Sequence, residues 1–184
     1  MGLSLESMAI VMPTVHGHPN RAGFRGVLTI VDVASDKSPS GARGHRVLLT
    51  RRAAEAAIPS LMGMGLDYSP ALDRHDAQRK IGVITQAEIV GRMIEVGGFL
   101  YARDFPEIVA EIGRPGRTGT SVSAGAARNV RGNRAGLGMS YEITDALVED
   151  IKASVWVLNR VTFTGAAVLR RDKAAYCSTW IELG

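Results

Sequence analysis

The sequence predicts an α+β domain built on a mainly antiparallel, barrel-like β-sheet. Short apolar segments with strand-like alternation recur along the 184 residues, whereas helical signals are few. No series of strand–helix–strand units with a Gly-rich phosphate loop is seen, which disfavours a parallel nucleotide-binding sheet. The length suits one domain with a sizeable core, and 46% hydrophobic with 22% charged residues is ordinary for a globular protein.

The strands follow from the apolar segments. Residues 1–22 lack clear periodicity and are expected to form an N-terminal arm, so the folded domain covers 23–184. The first strand alternates strictly, with Val27 and Thr29 on one face and Leu28 and Ile30 on the other. The complete set of predicted strands is 24–33, 45–49, 80–84, 93–102, 137–143, 153–165 and 178–183.

A few segments between the strands carry helix signals. Thr50 can cap a helix that Pro59 ends or bends, and Pro106 suits the first turn of another helix. Capping-box pairs are seen at Thr85 with Glu88 and at Asp104 with Glu107. The predicted helices cover 51–58, 86–91, 105–113 and 170–176.

Residues 114–135 are rich in Gly, Arg and Ser and are predicted to form a long mobile loop. Structureless loops of that length in a compact domain are usually functional or disordered. Much of the net charge of +4 lies in this loop. It has no aromatic residues on which bases could stack, so binding of nucleic acid is disfavoured, while a solvated basic loop or an acidic protein partner fits the charge.

Several classes of protein are disfavoured by composition. No run of eighteen apolar residues predicts a membrane span, and the N-terminus does not read as a secretory signal. The single cysteine, Cys177, excludes an internal disulfide and suits a reducing compartment. No pattern of residues implies a metal or an organic cofactor.

Ser140 and His75 are the candidate reacting groups. Ser140 lies between Met139 and Tyr141 in GLGMSYEI (136–143), so it should face away from the core beside Glu142. His75 lies in the polar segment ALDRHDAQRKIG, expected to be a loop before a strand. Taken singly, they fit an ordinary strand serine and a surface histidine as well as a nucleophile and a general base. Ser121 and Ser123 in the long loop are rival nucleophiles.

Asn159 and the pair Arg170–Arg171 are further candidates. Asn159 falls in a row of apolar residues of the strand 153–165, and a buried amide needs a partner. It could bond to backbone, or it could orient a histidine. The two arginines could stabilise an oxyanion, or they could be a solvated helix start with Asp172 as ion-pair partner.

The ordered segments RHDAQRKIG, DFPEIVAEI, LGMSYEI and VWVLNRVTFTGAAVLRRDKAAY resemble the tailed-phage prohead proteases, also called capsid maturation proteases. The resemblance covers about residues 24–180 and extends to the herpesvirus assemblins, proposed relatives of that family. It implies a serine endopeptidase on an assemblin-like β-barrel surrounded by helices. By motif position, His75 would be the base and Ser140 the nucleophile.

The resemblance also implies the remaining roles, with visible departures. The nucleophile motif is Ser140-Tyr141-Glu142-Ile143, where many members have Ser-(Ile/Val)-Gly-Phe, and the later strand has Thr-Gly-Ala in place of Pro-Ala-Asn. The third triad member is a histidine in assemblins and often an acid in phage enzymes. The closest strand positions here are Val157, which cannot orient an imidazole, and Asn159, which can through its amide oxygen; the alternative is a dyad without a third member. Arg170 and Arg171 resemble the oxyanion-stabilising arginine pair of assemblins.

The implied biology is phage prohead maturation. Such a protease cleaves scaffold and major capsid protein segments inside the procapsid in the host cytoplasm, and usually cleaves itself. A homodimer is suggested by analogy with assemblins. The alternative is a non-enzymatic capsid assembly or scaffold component that keeps a degenerate protease fold. The distance between His75 and Ser140 is expected to separate the two.

Overall fold

The computed structural model describes residues 7–114 and 136–184, in which nine strands form one sheet. Most of the predicted loop 114–135 lies outside the described residues, and so do the rival serines Ser121 and Ser123. The expected mobility and self-cleavage of this loop therefore stay predictions. The strands are β1 (Ser7–Ala9), β2 (Ala22–Ile30), β3 (Arg46–Leu49), β4 (Gly65–Asp67), β5 (Lys80–Val90), β6 (Met93–Leu100), β7 (Leu137–Val148), β8 (Val155–Arg170) and β9 (Trp180–Leu183). Two α-helices, α1 (Arg51–Ala57) and α2 (Pro106–Gly113), and 3₁₀ turns at Ser40–Ala42 and Ile58–Leu61 complete the fold.

The strand order is β3-β8-β4-β5-β6-β2-β9, with β1 paired to β5 and β7 paired to β8. All pairs are antiparallel except β3–β8 and β4–β8. The sheet curls into a half-barrel, which brings β7 over β2: a Cβ atom on Gly26 would lie 2.7 Å from Met139 Sδ. The predicted α+β class with a mainly antiparallel sheet is therefore confirmed.

The core lies inside the curl of the sheet. Buried aliphatic and aromatic side chains come from most strands, and a fully buried side chain of this kind contributes about 1.5–3 kcal/mol. Helix α1 packs against β8 through Ala53, Ala54 and Ala57, while α2 buries Ile108 and Ile112. Among the described residues, no helix is long and apolar enough to cross a bilayer.

Both α-helices were predicted from the sequence, and for α1 the predicted N-cap residue, Thr50, is also correct. Thr50 Oγ1 accepts a hydrogen bond from the Ala53 amide at 3.2 Å, as an N-cap should. Pro106 occupies the first turn of α2. The capping box predicted for α2 is wrong, because Asp104 accepts a hydrogen bond from Asn20, and Glu107 accepts one from the hydroxyl of Tyr68.

Two other predicted helices are wrong. Residues 86–90 continue β5, where Ala87 and Ile89 are buried and Glu88 is exposed, which is the period of a strand. Gly91, with φ of 61°, turns the chain directly into β6. In place of the helix predicted at 170–176, Arg170 ends β8 and residues 171–176 form turns and bends. The Tyr176 hydroxyl donates to the backbone oxygens of Val47 in β3 and of Val33 after β2.

Strand β4 was not predicted from the sequence. It has only three residues, too few to show a period, and it lies between β5 and β8. Its last residue, Asp67, pairs with Ala167 on β8 and with Lys80 on β5. This short strand therefore delivers a carboxylate to the middle of the sheet, beside the candidate reacting groups.

Candidate functional site

A groove of about 930 Å³ runs along β7. At one end it is lined by Ser140 and Glu142 from β7 and by His75 from the segment between β4 and β5. At the other end it is lined by apolar side chains that include Trp156 and Leu158 from β8. The structure thus brings the two predicted reacting groups, Ser140 and His75, into one groove.

Strand alternation sets the direction of Ser140. Met139 is buried, and Tyr141 packs against the core with its ring edge on Phe163. Ser140 and Glu142 therefore share the opposite face, as the sequence predicted. Their partners on β8 are the small residues Ala167 and Gly165, which leave room above the sheet on that face.

His75 is hydrogen-bonded to Glu142, a contact that was not foreseen. Nδ1 of His75 lies 3.2 Å from Oε1 of Glu142, and 25% and 22% of the two side chains is exposed. An ionised carboxylate only accepts hydrogen bonds, so Nδ1 of His75 must carry the proton of the neutral ring. The lone pair is then on Nε2, which is the arrangement of a general base.

Lys80 and Asp67 extend this contact into a connected group, called here the His75 cluster: Asp67, His75, Lys80 and Glu142. The Lys80 ammonium lies 3.0 Å from Oδ2 of Asp67 and 3.6 Å from Oε2 of Glu142. The Asp67 carboxylate is fully buried, and its other oxygen accepts a hydrogen bond of 3.0 Å from the Asp76 amide. A buried carboxylate requires such partners, and the Lys80 ammonium is the cation that pairs with Oδ2 of Asp67.

Two glycines make room for the His75 cluster. A Cβ atom on Gly165 would lie 2.4 Å from Oε2 of Glu142, and one on Gly65 would lie 2.7 Å from Cδ of Lys80. Gly65 and Gly165 are on the paired strands β4 and β8. Glycine inside a strand often marks a place where another group approaches the backbone closely, and here those groups are Lys80 and Glu142.

The His75 cluster also contains a set of metal-ligand types. Asp67, His75 and Glu142 each offer one ligand atom, and these atoms lie within 4.8 Å of one another. Carboxylates and imidazole are common ligands of divalent cations. Because the Lys80 ammonium already contacts both carboxylates, a metal ion would have to compete with it.

Ser140 is close to this cluster but not hydrogen-bonded to it. Across residues 7–114 and 136–184, no hydrogen bond joins His75 to Ser140. Ser140 and Glu142, on the same face of β7, are separated by about 6.6 Å along the strand. Rearrangement of the imidazole, or the arrival of substrate, is therefore needed to join Nε2 to Ser140, and such contacts are often long in free enzymes.

Asn159 is not where the sequence predicted it. Its side chain is exposed and donates to Glu149 at 3.2 Å, and it does not line the groove. The cause is a β-bulge: Leu147 pairs with Arg160 and Val148 with Leu158, so Asn159 is the extra residue on β8. Because of the bulge, Leu158 is buried and Asn159 is exposed, so the predicted burial of Asn159 is wrong.

Arg170 and Arg171 also lie away from the groove lining. Arg170 Nε is 3.3 Å from Asp172 Oδ1, the ion pair considered as the alternative. Arg170 pairs with Leu137, three residues or about 10 Å from Ser140 along the strand. Arg171 Nε is buried with no hydrogen-bond partner among the described residues, and that desolvation lowers the pKa of its guanidinium.

Comparison with known proteins gives no relative from which to assign these residues. The chain matches no protein-family model, no curated protein and no solved structure. The roles of the groove residues are therefore argued from their own geometry.

Proposed function

We propose that the protein is a serine endopeptidase in which Ser140 is the nucleophile, His75 the general base and Glu142 the residue that orients His75. The observation that carries this proposal is the contact of 3.2 Å between His75 Nδ1 and Glu142 Oε1, on the same strand face as Ser140 and in the same groove. A nucleophile, a base and an orienting acceptor are the three members of the triad of a serine hydrolase.

The chemistry assigns one proton path. Nε2 of His75 takes the Ser140 hydroxyl proton as Oγ attacks a peptide carbonyl carbon. The tetrahedral intermediate then loses the amine, which leaves with the proton from Nε2, and an ester to Ser140 remains. Water attacks the ester carbonyl, His75 again takes a proton, and that proton returns to Oγ as the carboxylic acid is released. Glu142 stabilises the imidazolium in both steps.

The groove supports a peptide as substrate. Its lining beyond Ser140 is largely apolar, with Trp156 and Leu158 at the far end. Among the described strands, β7 pairs with β8 alone. At its other edge the Met139 amide already donates to Thr179 Oγ1, so an extended substrate would pair with the part of that edge beyond Met139. Apolar side chains of that substrate would lie in the groove.

The biological setting of the proposal rests on the sequence resemblance to prohead proteases. In that setting the substrates are segments of scaffold and major capsid protein inside the procapsid, in the host cytoplasm. The curled sheet with its two short helices suits an assemblin-like barrel, and a homodimer suits the same analogy.

Covalent labelling combined with cleavage tests the proposal. The chain is co-expressed with the cognate capsid and scaffold proteins as wild type, Ser140→Ala and Ser154→Ala, the last being an exposed serine outside the groove. Intact mass should show specific cleavages with wild type and Ser154→Ala and none with Ser140→Ala. A fluorophosphonate should add one phosphonyl group, mapped to Ser140. Cleavage that persists in Ser140→Ala would place the nucleophile elsewhere.

A non-enzymatic capsid assembly component is the second candidate. The absence of a hydrogen bond between His75 and Ser140 in the described chain favours it. In that case neither wild type nor Ser140→Ala cleaves the partners, no phosphonyl group is added, and both forms co-sediment with capsid protein equally well.

A further inference from the structure

The end of the groove farthest from Ser140 contains an aromatic side chain that its neighbours hold in one position. Trp156 lines the groove there, and its indole Nε1 donates a hydrogen bond of 3.1 Å to the Ile151 carbonyl. The His45 ring stacks on the indole, with 4.6 Å between the ring centroids and 15° between the planes. His45 Nδ1 in turn donates to the Ala153 carbonyl at 2.9 Å. Both rings are fixed, and a fixed aromatic side chain loses little freedom when a ligand binds.

The two ends of the groove differ in charge. Among the described residues, the acidic and basic side chains that line the groove are all at the end with Ser140: Asp73, Arg74, His75, Glu142 and Lys173. The far end, called here the Trp156 subsite, is uncharged and mostly apolar, and beside Trp156 it includes Ala42, Val47, Val148 and Leu158. A charged side chain placed there would lose its water without gaining a partner, whereas burial of an apolar side chain is favourable. The Trp156 subsite therefore selects an apolar group.

Strand β7 connects the Trp156 subsite with Ser140. Ser140 and Val148 both line the groove and are eight residues apart on β7, which is at most about 26 Å along a strand. Bulges in the β7–β8 ladder bend this path, so an extended peptide needs about six to eight residues to reach from Ser140 to Trp156. Among the described strands, β7 pairs with β8 alone, so its edge beyond Met139 is open to the backbone of such a peptide.

We propose that the Trp156 subsite recognises the substrate at a distance from the bond that is cut, an inference that rests on the proposed endopeptidase function. It takes an aromatic or branched apolar side chain about six to eight residues from that bond, in an extended segment. Trp156 determines this specificity, because an indole in a desolvated pocket is the kind of side chain that dominates binding at an interface. His45 is a positioning residue, since it contacts Trp156 and does not itself line the groove.

Peptide binding to the full-length Ser140→Ala chain tests the proposal without cleavage. The probe is a fluorescein-labelled peptide of about twelve residues, with Ser and Thr in one half and alternating Phe and Thr in the other. In the matched peptide, Asp replaces each Phe. Fluorescence anisotropy should show that the Phe peptide binds at least about tenfold more tightly than the Asp peptide. Addition of Trp156→Ala should reduce this preference to about threefold or less, whereas Trp156→Phe should retain most of it.

Further variants separate recognition from loss of fold. Val90→Ala removes an exposed apolar side chain of β5 that does not line the groove, and it should leave both affinities unchanged. His45→Ala should weaken binding of the Phe peptide, and His45→Phe, which keeps a ring against Trp156, should restore it. These two variants and the two peptides decide the matter if Trp156→Ala does not fold.

Three results would overturn the proposal. The first is equal affinity for the Phe and Asp peptides. The second is a preference for the Phe peptide that survives unchanged in Trp156→Ala. The third is a dimer in analytical ultracentrifugation that Trp156→Ala converts to monomer while the Phe peptide does not bind, because a second copy of the chain would then occupy the Trp156 subsite.

Cleavage kinetics distinguish failure of this inference from failure of the proposed function. With capsid-derived peptides that extend about ten residues on each side of the bond, Trp156→Ala should raise KM by about 10–30-fold and leave kcat within about threefold, since binding alone is lost. Peptides cut to about four residues on each side should be cleaved equally by wild type and Trp156→Ala. A Phe preference in a chain that cleaves nothing would support the Trp156 subsite and refute the protease. Cleavage of the long peptides with an unchanged KM in Trp156→Ala would do the opposite.

Discussion

His75 and Glu142 are 67 residues apart in the sequence, yet Nδ1 of the first lies 3.2 Å from Oε1 of the second. Two elements produce this contact: the segment after the short strand β4, which carries His75, and the alternation of β7, which points Glu142 into the groove beside Ser140.

Glu142→Gln should lower kcat/KM by about 10²–10⁴-fold with little loss of stability. The amide of glutamine cannot stabilise the imidazolium and can hold the ring in the wrong tautomer, which is how removal of the charge acts in serine protease triads. Steady-state cleavage of a capsid-derived peptide measures the effect. Asn159→Ala is the matched control, because within 7–114 and 136–184 that exposed side chain bonds only to Glu149, and it should cleave like the wild type. A larger loss in Asn159→Ala than in Glu142→Gln would contradict this assignment.

Gly165→Ala should impair cleavage far more than it impairs folding. The added Cβ would lie 2.4 Å from Glu142 Oε2, which is at the end of a flexible side chain and can move away, and 3.3 Å from the backbone oxygen of Gly65, which must shift by a few tenths of an ångström at some cost in stability. Movement of that carboxylate breaks its contact with His75, so the Nδ1 proton signal should be lost from the NMR spectrum. In the control Gly23→Ala, the nearest atoms lie at an ordinary 3.9 Å. Retention of the wild-type tautomer in Gly165→Ala would count against this prediction.

Removal of Lys80 should open the His75 cluster to a divalent cation. Lys80→Ala leaves two carboxylates and an imidazole whose ligand atoms lie within 4.8 Å, without the ammonium that competes for them. Titration with Co²⁺ should then give visible absorption bands of a coordinated ion, stronger than with the wild type. The bands should disappear in the double variant Lys80→Ala/His75→Gln. Equal Co²⁺ binding by wild type and Lys80→Ala would show that the ammonium does not compete.

The free energy of unfolding should fall steeply above about pH 10, the usual pKa of tyrosine. Burial raises the pKa of Tyr141 and of Tyr176 above that value in the folded protein. Between the two pKa values the unfolded chain binds fewer protons than the folded chain, so stability decreases as pH rises. Stability is fully retained below pH 10.

Chemical denaturation at several alkaline pH values measures this slope. Tyr141→Phe should make the slope shallower by up to about 1.4 kcal/mol per pH unit, since one titrating group is lost. Its hydroxyl has no hydrogen-bond partner among the described residues, so stability at neutral pH should not fall. Tyr176→Phe should flatten the slope as well but lower neutral stability, because that hydroxyl donates to two backbone oxygens. A slope that is the same in all three proteins would refute the assignment.

Local patterns predicted the parts of the fold that local forces decide. The cap at Thr50, the first-turn Pro106 and the face of Ser140 depend on neighbours within a few residues. The helix predicted at 86–91 failed because pairing with β6 outweighs a weak capping signal. Strand β4 was missed because three residues carry no period, although it supplies Asp67.

Alternation and composition in the sequence alone determined a mostly β domain, the outward face of Ser140 and the candidacy of His75. The tertiary structure decided which side chains lie beside Ser140 and His75. A bulge at Asn159 turned that side chain to solvent, while curling of the sheet and two glycines brought Glu142, Lys80 and Asp67 together beneath His75. These three partners lie on three separate strands, β4, β5 and β7. Only the pairing of these strands with one another and with β8 fixes the distances between them, which no local pattern in the chain encodes.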